Sequence, residues 1–236
     1  MPCRAAAKCG QNAAPEVTPE VLKQALDASG LPDGLGWAVA SASDIPGALF
    51  EQERAAMRRA VPSRIAEFTG GRVAARAAMA QLGLPPRAIP MQGDRAPHWP
   101  SGVVGSISHG GGLCVAVVAR AGLWRGIGVD IEPDVDMHPD LIPEIASPSE
   151  LETLSLPPER AALRIFSAKE SAFKAQYPIT GATFGFDALR ADLPNSRMVM
   201  HHDIGLGQGA EIPVWQQRID GLVVSLSLLS CLFDTW

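Results

Sequence analysis

The sequence predicts an α+β protein in which one unit occurs twice, and three observations carry that expectation. Runs with apolar residues three and four apart alternate with shorter β-branched runs bounded by glycine and proline. The order strand, helix, strand appears twice, at offsets of about 90–110 residues, too long for a solenoid repeat and suited to a duplicated unit. The matching pieces are recognisable by residue. Gly36-Trp37-Ala38-Val39-Ala40 parallels Gly126 to Asp130, and the helix from Arg64 to Leu82 parallels that from Arg160 to Gln176. Gly112-Leu113-Cys114-Val115-Ala116-Val117 parallels Gly221-Leu222-Val223-Val224-Ser225-Leu226. A duplicated pair offers a cleft between its halves, a usual place for a ligand.

Each element has its own signal. Thr18 as N-cap with Pro19 at N1 starts a helix with an apolar stripe of Val21, Leu22, Ala25 and Leu26, ended by Gly30 and Pro32. Gly36 to Ala40 reads as a strand, and Glu51 to Ala60 as a helix stopped before Pro62. The helix from Arg64 to Leu82 is expected to loosen at Gly70-Gly71 and close at Gly83 and Pro85. Pro85 to Pro100 reads as loop. Val103 to Ser108 and Leu113 to Arg120 read as strands joined by His109-Gly110-Gly111-Gly112. Gly126 to Glu132 alternates with period two and stops at Pro133. Ser147-Pro148-Ser149-Glu150 has capping-box spacing, and a helix from Glu159 to Gln176 is expected to end before Pro178. Met198 to His201, Val214 to Arg218 and Leu222 to Leu229 complete the strands.

Composition narrows the class. With 236 residues, 47% hydrophobic and 19% charged, the chain can bury a full core and is not disordered. The longest strongly apolar run, Leu113 to Ala119, is too short to span a membrane. Met1 to Lys8 lacks the apolar core of a signal peptide, so the expectation is a cytoplasmic protein. Cys3, Cys9, Cys114 and Cys231 have no CxxC spacing, so reduced thiols are expected. The net charge of −5 divides into +3 over residues 1–120 and −8 over residues 121–236. A basic lobe facing an acidic one suits a small polyanion held by arginines and bridged by a metal. Nucleic acid is not expected, because no Lys/Arg stripe or aromatic platform accompanies the arginines.

Two stretches carry the chemistry. On the strand Gly126-Ile127-Gly128-Val129-Asp130-Ile131-Glu132, alternation puts Asp130 and Glu132 side by side on one face. Their repulsion is unfavourable unless a cation lies between them, and hard oxygens at this spacing suit Mg²⁺. The alternative is an edge strand with two solvated acids. In Phe166-Ser167-Ala168-Lys169-Glu170-Ser171-Ala172-Phe173-Lys174, Glu170 and Lys174 share a helix face. They are either a third metal carboxylate with a phosphate-facing ammonium, or an ordinary helix ion pair. His109 stands at a strand end before three glycines, where backbone can approach a ligand closely. The same His109 to Gly112 stretch matches the oxyanion loop of esterases, and Ser171 to Lys174 fits S-x-x-K. Their companion motifs are absent, as are GxxxxGK[ST] and GxGxxG.

In this order, Ser106-Ile107-Ser108-His109, Gly126 to Glu132, and Phe166 to Glu170 with Lys174 resemble the 4′-phosphopantetheinyl transferases of the long, pseudo-dimeric type. Arg64 through Glu67-Phe68 to Gly71-Arg72 and Ala75-Arg76, and Gly93-Asp94-Arg95 to Trp99-Pro100, share the likeness, which covers about residues 50–190. The resemblance implies two similar α/β subdomains about a pseudo-twofold, residues 1–125 and 126–236, with the active site in the cleft between them. It implies transfer of phosphopantetheine from coenzyme A to a serine of an apo acyl or peptidyl carrier protein, releasing 3′,5′-ADP. Asp130, Glu132 and Glu170 would hold Mg²⁺, with Mn²⁺ as a substitute. Ser108, His109 and Lys174 would face the phosphates, and Arg64, Arg72 and Arg95 the 3′-phosphate. Glu170 would accept the serine proton and Lys174 would stabilise the leaving phosphate. The chain would act as a monomer, in siderophore, polyketide or nonribosomal-peptide biosynthesis. A serine esterase using the His109 to Gly112 loop, and a catalytically silent carrier-binding protein, are the competing expectations.

Overall fold

The computed structural model describes residues 17–43 and 45–231; the expectations for the N-terminal leader, Cys3 and Cys9 lie outside these residues. In chain order the elements are α1 (Pro19–Asp27), β1 (Leu35–Ser41), α2 (Glu51–Arg54), α3 (Pro62–Gln81), β2 (Val103–Gly110), β3 (Leu113–Arg120) and β4 (Trp124–Pro133). There follow α4 (Ile142–Ile145), α5 (Pro148–Leu151), α6 (Pro158–Thr180), β5 (Leu189–Asp192), β6 (Arg197–Met200), β7 (Glu211–Ile219) and β8 (Leu222–Ser230). The α+β class holds: two antiparallel sheets run β1-β3-β2 and β4-β8-β7-β6-β5, each backed by one long helix.

The repeat is visible in strand order and in register. The first three places of each sheet follow the same path, with β1, β3 and β2 matching β4, β8 and β7. Ser41 pairs with Leu113 at one hairpin, and Pro133 pairs with Leu222 at the other. That register matches Gly36 to Gly128, two residues further along than the sequence alignment of Gly36 with Gly126. Sequence similarity saw a glycine; the sheet fixes which one by its distance from the hairpin.

Glycine lets each helix lie close on its strand. A Cβ at Gly36 would stand 2.3 Å from the Ala78 carbonyl oxygen on α3, and one at Gly128 would stand 1.8 Å from that of Ser171 on α6. Gly70 and Gly71 serve the same end from the helix side. Their Cβ atoms would meet the Ser41 carbonyl at 2.5 Å and Ile107 at 2.8 Å, so α3 runs through them unbroken and the expected loosening does not occur. Two other helix boundaries differ. The stretch from Glu51 is α2 followed by a 3₁₀ turn, Ala55–Met57. Helix α6 continues past Pro178 to a left-handed Gly181, whose N–H donates to the Tyr177 carbonyl at 2.8 Å.

Alternate residues on the sheets divide the core. Leu35, Val115, Val117, Ile127, Val129, Ile131, Val224 and Leu226 form one cluster shared by both sheets, with Leu22 and Leu26 of α1. The opposite faces pack separately, Ala38, Ala116 and Val118 with α3, and the β5–β7 side chains with α6. Strand β2 lies along β4, where Ser106 Oγ accepts from the Val129 N–H at 3.0 Å. Among the described residues no helix is long and apolar enough to cross a membrane.

Each half also contains a buried acid clasp. Glu53 is the third residue of α2: it accepts from the Phe50 N–H, from the Ile89 N–H and from Arg76 Nη1, each at 2.8 Å. Glu150, three residues into the expected capping box, accepts from the Ser147 N–H at 2.9 Å and from the Ala191 N–H at 2.8 Å, and pairs with Lys169 Nζ at 2.8 Å. Arg76 also donates to the Ala48 carbonyl, and Lys169 to that of Ile145. Every polar atom so buried has a partner across the half, which fixes how α3 and α6 are seated.

Candidate active site

The site forms where β4, β2 and α6 converge. Residues 127, 129 and 131 of β4 face the shared core, so Gly126, Gly128, Asp130 and Glu132 face α6. The absent side chains at Gly126 and Gly128 bring the helix backbone onto the strand, and the helix then presents Glu170 and Lys174 beside the two acids.

Lys174 is the hub. Its Nζ donates to Asp130 Oδ1 at 2.6 Å, to Ser108 Oγ at 3.1 Å and to the Val129 carbonyl at 3.1 Å. Ser108 Oγ in turn donates to Asp130 Oδ1 at 3.0 Å. Burial alone would push the ammonium toward its neutral form, but Asp130, Glu170 and Glu132 outweigh it and hold the lysine pKa above its usual value. Burial pushes Glu132 up to about 8, helped by the charge on Asp130. Burial raises Glu170 as well, with Lys174 opposing and Asp130 adding.

Among the described residues no group of three His, Cys, Asp or Glu side chains, Asp130, Glu132 and Glu170 included, is arranged to hold a metal ion by itself. The three acids instead share one field around Lys174. Two features of that field fit a divalent cation that takes its remaining ligands from phosphate and water. Asp130 Oδ2 is buried and without a hydrogen-bond partner, and a single ammonium, Lys174, faces three carboxylates.

On the β2 side, Arg64 Nη1 donates to His109 Nε2 at 3.1 Å, and Glu67 lies 3.6 Å from the same nitrogen. Burial lowers the His109 pKa, with Arg64 and Lys174 adding to it against Glu67, so the ring is held neutral and can accept from the arginine. Glu67 is a member of this site for which residue reasoning assigned no role. Its signal was three-residue spacing from Arg64 on α3.

The remaining arginines are placed differently. The unbroken α3 puts Arg64 and Arg72 about 80° apart around the helix. Arg72 is only 6% exposed, donates through Nε to the Ile89 carbonyl at 3.0 Å and lies 3.8 Å over the Phe68 ring. Burial lowers its pKa to about 10. Arg95 sits on an exposed turn whose neighbour Asp94 accepts from the Tyr177 hydroxyl of α6 at 2.5 Å.

The esterase motifs have structural explanations. His109 to Gly112 is the β2–β3 hairpin, and Gly111 and Gly112 take φ values of 58° and 78° that the tight turn requires. Ser171 of S-x-x-K is fully buried, donating to the Ala168 carbonyl at 2.8 Å and bonded to Ser227 Oγ. Cys114 and Cys231 are free thiols, and burial pushes Cys114 up to about 12.

Residues 126–226 match the model of the 4′-phosphopantetheinyl transferase superfamily, and residues 52–119 match that of the 4′-phosphopantetheinyl transferase N-terminal domain. The chain is 46% identical over 145 residues to 4′-phosphopantetheinyl transferase Svp of Streptomyces mobaraensis, a stretch covering 59% of this chain and 58% of that protein. It is 37% identical over 159 residues to 4′-phosphopantetheinyl transferase PptT of Mycobacterium tuberculosis, covering 61% and 66%. It is 40% identical over 136 residues to enterobactin synthase component D of Escherichia coli, covering 55% and 63%. The chain therefore matches these relatives over about three fifths of their length.

Proposed function

Since this chain belongs to the 4′-phosphopantetheinyl transferase superfamily, we propose that it transfers 4′-phosphopantetheine from coenzyme A to a serine of an apo carrier protein, releasing 3′,5′-ADP. The observation that carries the reading is the Lys174–Asp130 contact at 2.6 Å, beside Glu132 and Glu170, whose carboxyls are raised chiefly by burial and further by the charge on Asp130. A cleft that gathers an ammonium and three carboxylates is suited to a phosphate chain with its counter-ion.

Asp130, Glu132 and Glu170 would hold Mg²⁺ or Mn²⁺. When bound, the ion supplies positive charge to the pyrophosphate of coenzyme A. The protein's own groups then have separable roles. Glu170, with its raised pKa, accepts the serine hydroxyl proton, so that the serine oxygen bonds to phosphorus as the phosphoanhydride bond to 3′,5′-ADP breaks. Lys174, held by Ser108 and the Val129 carbonyl, meets the charge that grows on the leaving phosphate. His109 and Arg64 form the phosphate-facing wall on β2 and α3. Arg95 and Arg72 are assigned to the 3′-phosphate, Arg72 from its buried place beside Phe68. Residues 1–125 thus supply the basic side and residues 126–236 the metal side of one cytoplasmic, monomeric enzyme.

Incubation with coenzyme A, Mg²⁺ and an apo carrier protein, followed by mass spectrometry of the carrier, tests the proposal. A carrier gaining one phosphopantetheine only when Mg²⁺ is present is the expected result. An unmodified carrier in the presence of all components would overturn it.

A further inference from the structure

We infer that Tyr177 is a positioning residue whose hydroxyl holds the Arg95 turn beside α6, and so sets how strongly the site prefers coenzyme A over its 3′-dephospho form. The inference rests on the reading above that Arg95 meets the 3′-phosphate.

Tyr177 lies three residues beyond Lys174 on α6, on a neighbouring part of the same helix surface. Its ring is not free to swing. It stacks on Phe173 with centroids 5.5 Å apart, and Phe173 meets Phe184 edge-on at 5.4 Å. The hydroxyl is thereby aimed across the cleft at Asp94 Oδ2, 2.5 Å away, while Asp94 Oδ1 accepts from the Ala96 N–H at 2.9 Å. One carboxylate therefore clamps both the turn and the helix.

Between Asp94 and Ala96 stands Arg95, with φ of 74° in the left-handed region that side chains disfavour. The turn around it is a miniature hairpin. The Arg95 N–H donates to the Gln92 carbonyl at 3.0 Å, the Gln92 N–H to the Ala96 carbonyl at 2.8 Å, and Met91 bridges Pro97. These bonds close the turn on itself but do not set where it stands relative to α6. The Tyr177–Asp94 bond does that, joining elements 83 residues apart in the chain. The Tyr177 hydroxyl is also the largest influence holding the Asp94 carboxyl below its usual range. An arginine on an exposed turn recognises a phosphate strongly only if the turn is already in place.

The test uses Tyr177→Phe in the full chain, which removes one oxygen and keeps the ring stack. With coenzyme A, KM should rise about three- to tenfold with kcat unchanged, the loss of one hydrogen bond. With 3′-dephospho-coenzyme A neither constant should change. Asp94→Ala should show the same selective loss, and Asp94→Asn, which retains an acceptor oxygen, should recover most of it. Tyr177 is the single tyrosine of the chain, so ultraviolet titration reads its phenol directly, and ionisation should fall to lower pH in Asp94→Ala. A transferring wild type with an indifferent Tyr177→Phe, or with equal losses on both substrates, overturns this inference alone. A wild type that transfers from neither substrate overturns the parent reading and this inference with it.

Discussion

Matched through their hairpins, β1 and β4 differ where it matters for chemistry: Ala38 and Ala40 stand where Asp130 and Glu132 stand. The helices match through the glycines beneath them, which places Ala77 opposite Glu170 and Gln81 opposite Lys174. Gln81 even keeps a lysine-like bond, donating to the Trp37 carbonyl at 2.6 Å as Lys174 donates to that of Val129 at 3.1 Å. What both halves retain is the close helix on a glycine, the tight hairpin and the buried acid clasp. What the first half lacks are counterparts of Asp130, Glu132, Glu170 and Lys174, while its own Arg64 and His109 stand on the basic side of the proposed site. The close packing of helix on strand therefore does not depend on those charges, and the β1–α3 layer is a natural control for the β4–α6 layer.

The largest expected effect tests whether the clasps are equivalent. Glu53→Ala and Glu150→Ala each strand a buried cation and two backbone N–H groups, and each should cost about 3–5 kcal/mol in urea unfolding. A penalty confined to one of the two variants would break the comparison at its base. Next in size is Lys174→Ala, expected to lower kcat and kcat/KM together by about a hundredfold, or about 3 kcal/mol. A raised KM with unchanged kcat would make Lys174 a binding residue only.

A smaller effect concerns the empty balance of charge. Glu132, raised to about 8 from 4.5, favours folding in its neutral form. That contribution is complete below about pH 4.5 and disappears as the pH climbs through about 8. In chelator-treated protein, Glu132→Gln should flatten the decline in melting temperature over this window and melt a few degrees above wild type at its alkaline end. Identical pH profiles would show that the acid is not strained. The smallest effect belongs to the β1–α3 layer. Gln81→Ala removes two hydrogen bonds to Trp37 and should cost about 1 kcal/mol of stability, with transfer kinetics unchanged. Slower turnover in that variant would mean that the β1–α3 layer contributes more than a scaffold.

Much of this was legible in the residues, and the misses share a cause. Periodicity located β1 to β4 and β8, and the capping box at Ser147 formed as spaced. Alternation had already put Asp130 and Glu132 on one face, and helical spacing Glu170 and Lys174 on another; bringing these pairs to each other and to Ser108, His109 and Arg64 took the packing of β4, α6, β2 and α3. Lys169 and Lys174 look alike in sequence. Only tertiary partners, Glu150 and two carbonyls for one and Asp130 and Ser108 for the other, tell the two lysines apart. Gly70-Gly71 likewise read as weakness, because the Ser41 and Ile107 atoms that demand small residues lie far off in the chain. The Tyr177–Asp94 bond had no local signal at all.

Sheet topology also has a timetable. In each half the strand made first pairs with the strand made last: β1 with β3, and β4 with β8, where Pro133 must wait for Leu222. At synthesis rates of about 5–20 residues per second, β4 leaves the ribosome on the order of ten seconds before its neighbour exists. An apolar strand waiting so long invites pairing with the wrong chain. Alternating charge and glycine along β4 make it a poor template for such pairing, so the acids proposed for the finished site also suit the unfinished chain.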